Sequence, residues 1–563
     1  MKTNSPFDSP RLLWSILIGF LLLWFYMLGA RTLVPTDEGR YAEIAREMFA
    51  TGDWLTPRLN GIKYFEKPPL QMWMTALSFE LFGVGDWQAR LWTGLCGLFG
   101  IALVVHTGRK VFSQRVGIAA GFILGSSLFW GAASHYNSLD LAVAAMMAMA
   151  LCGLLLGQRE GASAEEQRNG MLICWIGMAL AVLTKGLIGI VLPGGVLFVY
   201  TFVARDWSIW KRLHLGKGLI VFFGIVSPWF VLVALKNPEH PEFFFIHEHF
   251  QRFTSKIHHR YEPPYFFAVV LAIGMLPWLG GMLQGLWLAI KSENAVFKPK
   301  KMLLVWTLFI FVFFSMSNSK LMGYILPIFP SLALLIACQL ESASGKHLKL
   351  AAILSTLIGL GGLLFSLIVP AKLAAMNAPP IEIALNQGIL SWLTAAFALT
   401  CVAGLVAFFI ADRFKDYAIV SLAIGGFVSG QIIMLGYEPW GQYRAGLSYV
   451  KIIQSELKPD TPIYSVGIYE QCLPFYLGRT TTLVGFPDEL EFGLTQQPEL
   501  WIPKRDTFIE KWRADSKDGK AAIAIVKTVI YREFLSQNVP MRVLGEDTKR
   551  VIVSNIPSPQ ATK

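Results

Sequence analysis

Charge is scarce in this sequence. Asp, Glu, Lys and Arg make up 15% of its 563 residues, where a soluble domain averages about a quarter. With 54% hydrophobic residues, that scarcity excludes a soluble enzyme and leaves a polytopic membrane protein. Cysteine is scarce too. Cys96, Cys152, Cys174, Cys338 and Cys401 lie in apolar runs and only Cys472 lies outside them, which excludes a disulfide framework. No Gly-rich nucleotide-binding signature stands out, which speaks against a nucleotide-linked substrate. The first apolar run, Leu12–Ala30, lacks a small-residue cleavage site and is long for a signal peptide. It reads as an uncleaved span. Nor is there a convincing internal repeat, and that counts against a transporter or flippase built on repeated halves.

Apolar runs fill most of the chain. Met1–Arg11 carries Lys2 and Arg11 and reads as cytoplasmic. Leu70–Val84 is apolar but short, and it holds Gln71 and Glu80. As a span it would send the basic loops Gly108–Gly117, Arg205–Lys217 and Lys291–Lys301 to the wrong side, so it reads as an interfacial helix. Glu38–Phe49 has helical periodicity and reads as a second one. The spans then number about 13 by hydropathy. They include Val116–Ser134, Met171–Leu183, Ile188–Val203 and Tyr265–Ile290, and the last is Tyr417–Gly436. Residues 1–436 form the membrane domain on this reading, and residues 437–563 a soluble α/β domain. Its strand-like runs are Pro462–Val466, Thr480–Val484, Ala521–Val526, Arg542–Leu544 and Arg550–Val553. An odd number of spans places that domain in the periplasm. The net charge of +11 sits in short loops and reads as a topology and lipid-phosphate signal, with no nucleic-acid partner.

Polar chemistry has few places to be. The stretch Pro35–Pro69 packs Asp37, Glu38, Arg40, Tyr41, Glu43, Arg46, Glu47, Arg58, Lys63, Tyr64, Glu66 and Lys67 between apolar elements. On the expected topology it shares the periplasmic face with Ser134–Asp140, Lys185, the loop Lys236–Pro264 and Lys320–Tyr324. Ionisable residues beside a membrane are costly and suggest function. Carboxylates beside several cations at headgroup level suit chemistry on a lipid phosphate. Lys and Arg hold the phosphate and stabilise charge on a leaving group. A carboxylate orients an acceptor or takes its proton. Each short motif alone is more often structural than catalytic, and the joint placement on one face carries the reading. The histidine-rich loop allows two readings. One is a divalent metal, zinc for example, on Glu66 and His247. The other is a gating loop with interfacial histidines.

At Pro35–Met48 (PTDEGRYAEIAREM), Tyr64–Trp73 (YFEKPPLQMW), His135–Asp140 (HYNSLD), Leu183–Gly186 (LTKG) and Ser319–Pro330 (SKLMGYILPIFP), the chain resembles a known family. These are the GT-C membrane glycosyltransferases that use polyprenyl-phosphate sugars. The likeness is greatest to the bacterial aminoarabinose transferases that modify lipid A, which are related to protein O-mannosyltransferases. The resemblance covers about the first two-thirds of the chain, with a further piece at Tyr469–Arg479. It implies about 13 transmembrane helices, interfacial helices and a periplasmic α/β domain in the bacterial inner membrane. The implied donor is undecaprenyl phosphate carrying 4-amino-4-deoxy-L-arabinose, and the implied acceptor is a lipid A phosphate. Modified lipid A would confer polymyxin resistance. By position, Asp37 and Asp140 match the catalytic carboxylates. Arg40, Tyr41, Tyr64, Lys67, Lys185 and Tyr324 fall around the donor phosphate and sugar, with Glu38, Glu66 and His247 in support. No soluble cofactor is obligatory. A related transferase with another sugar or acceptor, a lipid transporter and a non-catalytic scaffold are the alternatives.

Overall fold

The computed structural model describes residues 5–251, 262–291, 293–374 and 379–556. Arg252, His258, His259 and Arg260 of the histidine-rich loop lie outside the described residues, as does the side chain of His249.

Helix α1 (Pro10–Gly29) starts where Ser9 accepts from the Leu12 N–H, with Pro10 at the first helical position. Among the described residues, nine helices are long and apolar enough to cross a membrane. Two more crossings are bent pairs. Gln114–Ser126 meets Leu128–Ser134 at 67°, and Phe266–Gly274 meets Leu279–Ile290 at 112°. At the first bend the Ser126 and Ser127 hydroxyls donate back to the Phe122 and Ile123 carbonyls, a pattern that bends helices. At the second, Pro277 withholds an N–H, so the expected straight span Tyr265–Ile290 is a sharply broken one. The remaining two expected spans, Met171–Leu183 and Ile188–Val203, fall on the helices Ala164–Lys185 and Ile188–Ala204. The first of these opens with a Ser163–Glu166 capping box. The chain is a multi-span membrane protein.

Two helices do not span. Helix α2 (Asp37–Thr51) and helix α3 (Leu70–Phe82) pack on each other. The 13 residues of α3 give about 20 Å, short of a hydrocarbon core of about 30 Å. Helix α2 differs from a helix lying on a membrane with its charges in water. Glu38, Glu43 and Glu47 are all buried. The cover is the C-terminal domain. Tyr41, Ile44, Ala45 and Met48 share one apolar cluster with Tyr469, Cys472, Phe475 and Leu490. At Gly39 a Cβ would stand 2.8 Å from the Cys472 nitrogen, so glycine is what lets the two backbones meet.

Between α2 and α3 runs a hairpin, β1 (Arg58–Leu59) and β2 (Ile62–Lys63). Its turn is Asn60-Gly61, both with positive φ, as a two-residue hairpin demands. Asn60 also exchanges hydrogen bonds with Thr481: its Nδ2 donates to the carbonyl at 2.6 Å and its Oδ1 accepts from the N–H at 2.7 Å. The first loop is thereby fastened to the C-terminal domain.

That domain holds a six-stranded mixed sheet, order β5-β4-β3-β6-β8-β7. The strands are β3 (Ile463–Val466), β4 (Thr482–Val484), β5 (Trp501–Ile502), β6 (Ile523–Lys527), β7 (Arg542–Glu546) and β8 (Arg550–Ser554). The first four are parallel neighbours, and β8 pairs antiparallel with both β6 and β7. Phe508, Trp512 and Phe534 pack beneath it from the helices Arg505–Lys517 and Thr528–Ser536.

Candidate active site

Helix α2 begins the site. Asp37 opens its first turn, where a carboxylate meets the positive end of the helix dipole. Arg40 donates to Asp37 at 2.9 Å. Its other Nη lies 2.6 Å from Glu489. Tyr41 and Tyr64 are buried beside this guanidinium, and burial pushes both hydroxyls well above the ordinary tyrosine range. They are neutral hydrogen-bonding groups at any physiological pH. The Tyr64 hydroxyl and Arg40 Nε have no hydrogen-bond partner among the described residues. Unsatisfied buried polar atoms of this kind call for a ligand or water.

Lys67 extends the cluster. Its ammonium donates to the Glu66 carbonyl at 2.8 Å and lies 3.6 Å and 3.3 Å from the carboxylates of Glu66 and Glu248. Lys63 pairs with Glu239 at 2.6 Å, so a second acid from the loop after Lys236 faces the first loop.

A third group comes from the helix ends. Lys185, at the end of Ala164–Lys185, is ion-paired with Asp140, in the first turn of Leu139–Gln158. Its ammonium sits 4.6 Å above the Tyr324 ring, a cation–π contact. Asp37 is within electrostatic range of Lys185. Asp37, Arg40, Tyr41, Tyr64, Glu66, Lys67, Asp140, Lys185 and Tyr324 therefore converge.

Glu38 stands apart in character. It is fully buried and binds Arg90 through two hydrogen bonds of 2.6 and 2.9 Å. It also accepts from Arg31 at 3.2 Å and from the Val34 and Asn137 N–H groups at 2.9 and 3.0 Å. Burial alone would raise its pKa. Arg31 and Arg90 outweigh that and hold it at about 2. This carboxylate joins α2 to the start of α4 (Asp86–Val111) and to the backbone before Asp140.

His247 stacks on Phe243 and lies 3.7 Å from Glu248. Among the described residues no three His, Cys, Asp or Glu side chains are grouped to hold a metal ion. The charge facing Glu66 and Glu248 is the Lys67 ammonium. Of the other histidines of that loop, His258, His259 and the side chain of His249 lie outside the described residues.

Glu489 was not among the residues read from the sequence. It sits in a short 3₁₀ turn, Asp488–Leu490, held by Gln471, which donates to it at 3.2 Å. Burial raises its pKa and Glu66 adds to this. Arg40 opposes both, and the result is about 6.

Known proteins resemble this chain in sequence and fold. Residues 449–555 match the family described as the aminoarabinose transferase C-terminal domain, and residues 66–232 match the dolichyl-phosphate-mannose-protein mannosyltransferase family. The undecaprenyl phosphate-alpha-4-amino-4-deoxy-L-arabinose arabinosyl transferase of Edwardsiella ictaluri is 33% identical over 64% of this chain. The match spans 65% of that relative, under two thirds of its length. The enzyme of the same name from Aeromonas hydrophila is 30% identical over 68% of this chain and 70% of its own. The crystal structure of ArnT from Cupriavidus metallidurans bound to undecaprenyl phosphate superposes with a TM-score of 0.91 at 40% identity. That match covers 97% of this chain and 98% of the other. The chain belongs to the aminoarabinose transferase family of membrane glycosyltransferases.

Proposed function

We propose that this protein moves 4-amino-4-deoxy-L-arabinose from undecaprenyl phosphate to a phosphate of lipid A, at the periplasmic face of a bacterial inner membrane. One observation carries the reading. Arg40, Lys67 and Lys185 converge, each beside a carboxylate, in a chain similar to a transferase solved with undecaprenyl phosphate.

The reaction is a displacement with inversion at the anomeric carbon. Arg40, Lys67 and Lys185 hold the donor phosphate and stabilise its charge as it leaves. Tyr324 fixes Lys185 from one side and Asp140 from another. A phosphate acceptor is ionised at neutral pH and needs no strong base. Asp37 and Asp140 then serve to orient the donor. Asp37, Glu66 and Glu489 gather around Tyr41, Tyr64 and Arg40, a surplus of negative charge that suits the ammonium of an amino sugar. Residues 236–251, tied to Lys63 through Glu239 and to Lys67 through Glu248, face the donor. The sugar arrives activated on its lipid, so the reaction takes no obligatory soluble cofactor. The ammonium added to lipid A offsets its phosphate charge and weakens cationic peptides such as polymyxin.

The match of residues 66–232 to protein mannosyltransferases supports a second reading, with a hydroxyl acceptor and Asp37 as base. Mass spectrometry of lipid A separates the two. Wild type and Asp37→Ala are expressed in a polymyxin-sensitive Gram-negative strain that makes the lipid-linked aminoarabinose and lacks its own transferase. Aminoarabinose on lipid A with wild type alone is the expected result. Unmodified lipid A with both proteins inserted overturns the acceptor assignment.

A further inference from the structure

Both substrates of the proposed reaction are phosphates. In an inverting displacement they flank the anomeric carbon from opposite sides, so one set of cations cannot hold both. Among the described residues, the other cations of the site each have a carboxylate. Arg40 has Asp37 and Glu489, Lys63 has Glu239, Lys67 has Glu66 and Glu248, and Lys185 has Asp140. Lys320 has none. It is 9% exposed, and its ammonium donates at 2.8 Å to one backbone carbonyl, that of Ser317. One carbonyl compensates a buried ammonium poorly, and unpaired buried charge is among the costliest features a fold can carry.

The surroundings of Lys320 are those of an anion site. The segment Ser315–Gly323 leaves the end of helix Pro299–Met316 and returns on itself, because the Phe314 and Tyr324 rings meet at 5.1 Å. Within it the Ser315 and Ser319 hydroxyls are buried with no hydrogen-bond partner among the described residues. The far end of the segment abuts the site. A Cβ on Gly323 would collide with the Asp140 carboxylate. Three residues of chain reach at most about 11 Å, so Lys320 is held close to the Asp140–Lys185 pair. Capping the helix end uses one proton of the ammonium and leaves its charge unanswered.

We infer that Lys320, with the hydroxyls of Ser315 and Ser319, binds the phosphate of the lipid acceptor. This inference rests on the proposed function, for which the acceptor is a phosphate monoester on lipid A. An oxygen of that phosphate forms the new bond to the anomeric carbon. The bond from that carbon to the undecaprenyl-phosphate oxygen breaks, and its electron pair leaves with undecaprenyl phosphate. Lys320 transfers nothing.

The test uses the full-length protein in nanodiscs, as wild type, Lys320→Met and Lys320→Arg. Binding is measured for lipid A, for the same lipid A with its phosphates removed, and for undecaprenyl phosphate. Wild type and Lys320→Arg are expected to prefer the phosphorylated lipid A. Lys320→Met loses that preference by about tenfold or more, the loss expected for a charged hydrogen bond. All three bind undecaprenyl phosphate equally, which also reports an intact fold. In turnover Lys320→Met raises the KM for lipid A and leaves the KM for the donor unchanged. Two outcomes overturn the assignment. In one, Lys320→Met keeps its preference for the phosphorylated lipid. In the other, it loses affinity for undecaprenyl phosphate in step. If wild type binds phosphorylated lipid A selectively and Lys320→Met does not, yet wild type transfers no sugar to it, the proposed function falls and Lys320 is still the residue that binds the lipid A phosphate. If wild type shows no phosphate preference, the assignment itself falls.

Discussion

Arg40 Nη2 and Glu489 Oε2 are 2.6 Å apart, so a residue of the first loop and a residue of the C-terminal domain complete one site. On the proposed function, the domain is therefore part of the active centre. Glu489→Ala leaves Arg40 with Asp37 alone and removes one wall beside Tyr64. The expected outcome is a rise of about tenfold in the KM for the donor, from loss of charged hydrogen bonding. Steady-state kinetics at saturating acceptor measures it. An unchanged donor KM would detach the domain from catalysis.

Glu38 and Asp37 are neighbours with opposite duties. Glu38→Ala strands the buried charges of Arg31 and Arg90, a loss of about 3–5 kcal/mol. Little folded protein is expected after detergent extraction, as read by thermal unfolding. Asp37→Asn is expected to abolish transfer and leave the unfolding temperature within about 3 °C of wild type, as for a partly exposed residue outside the core. The Glu38 anchor also resists acid. Its folded pKa of about 2 lies below the ordinary 4.5. Its contribution is complete above the ordinary value and fades as pH falls toward 2.

These two residues show what could be read from the sequence and what could not. Asp37, Arg40, Tyr64 and Lys67 were legible because polar chemistry beside a membrane is costly and they crowd one loop. The helical nature of α2 followed from its periodicity. Periodicity marks the charged face and is silent on what covers it, so the burial of Glu38, Glu43 and Glu47 needed the structure. Glu489 lies far along the chain in an acidic run, Phe486–Phe492, that reads as solvent-exposed surface. The nearby Tyr469–Arg479 piece, which carries Gln471 and Cys472, was the available hint. Asn60-Gly61 is a strong hairpin signal, and the turn between β1 and β2 forms there. The length of Tyr265–Ile290 was legible, and the size of the turn at Pro277 was not, because packing decides how far a proline bends its helix.

Gly323 and Asp140 share a contact with no spare volume. Gly323→Ala places a methyl group where the Asp140 side chain stands, so that side chain must shift. The ion pair with Lys185 is then displaced. Transfer is expected to fall by about a hundredfold, in line with a misplacement of about 1 Å in a positioned group. Undecaprenyl phosphate binding and the unfolding temperature read out whether the fold survives. A fully active Gly323→Ala protein would show that the Asp140 position does not matter.

Glu47 supplies a prediction on pH. Its carboxyl is buried beneath the C-terminal domain, with one oxygen accepting from the Gly61 N–H at 2.8 Å. Burial raises its pKa, the adjacent Glu43 raises it further, and Gly61 and Arg46 oppose them, for a result of about 8. Arg46 is committed to Glu43 by two 2.7 Å bonds, so Glu47 keeps a proton instead of a cation. In the unfolded chain the same group titrates near 4.5. Between those values the folded state binds a proton that the unfolded state has released. Rising pH therefore opposes folding across that window, and the contribution is gone above about 8. Glu47→Gln has no proton to lose. Its unfolding free energy is expected to fall less steeply than that of wild type between about pH 5 and about pH 9 and to exceed it at the upper end. Denaturant unfolding of both proteins across that range measures the difference. Parallel curves would mean that Glu47 is ionised in the folded protein.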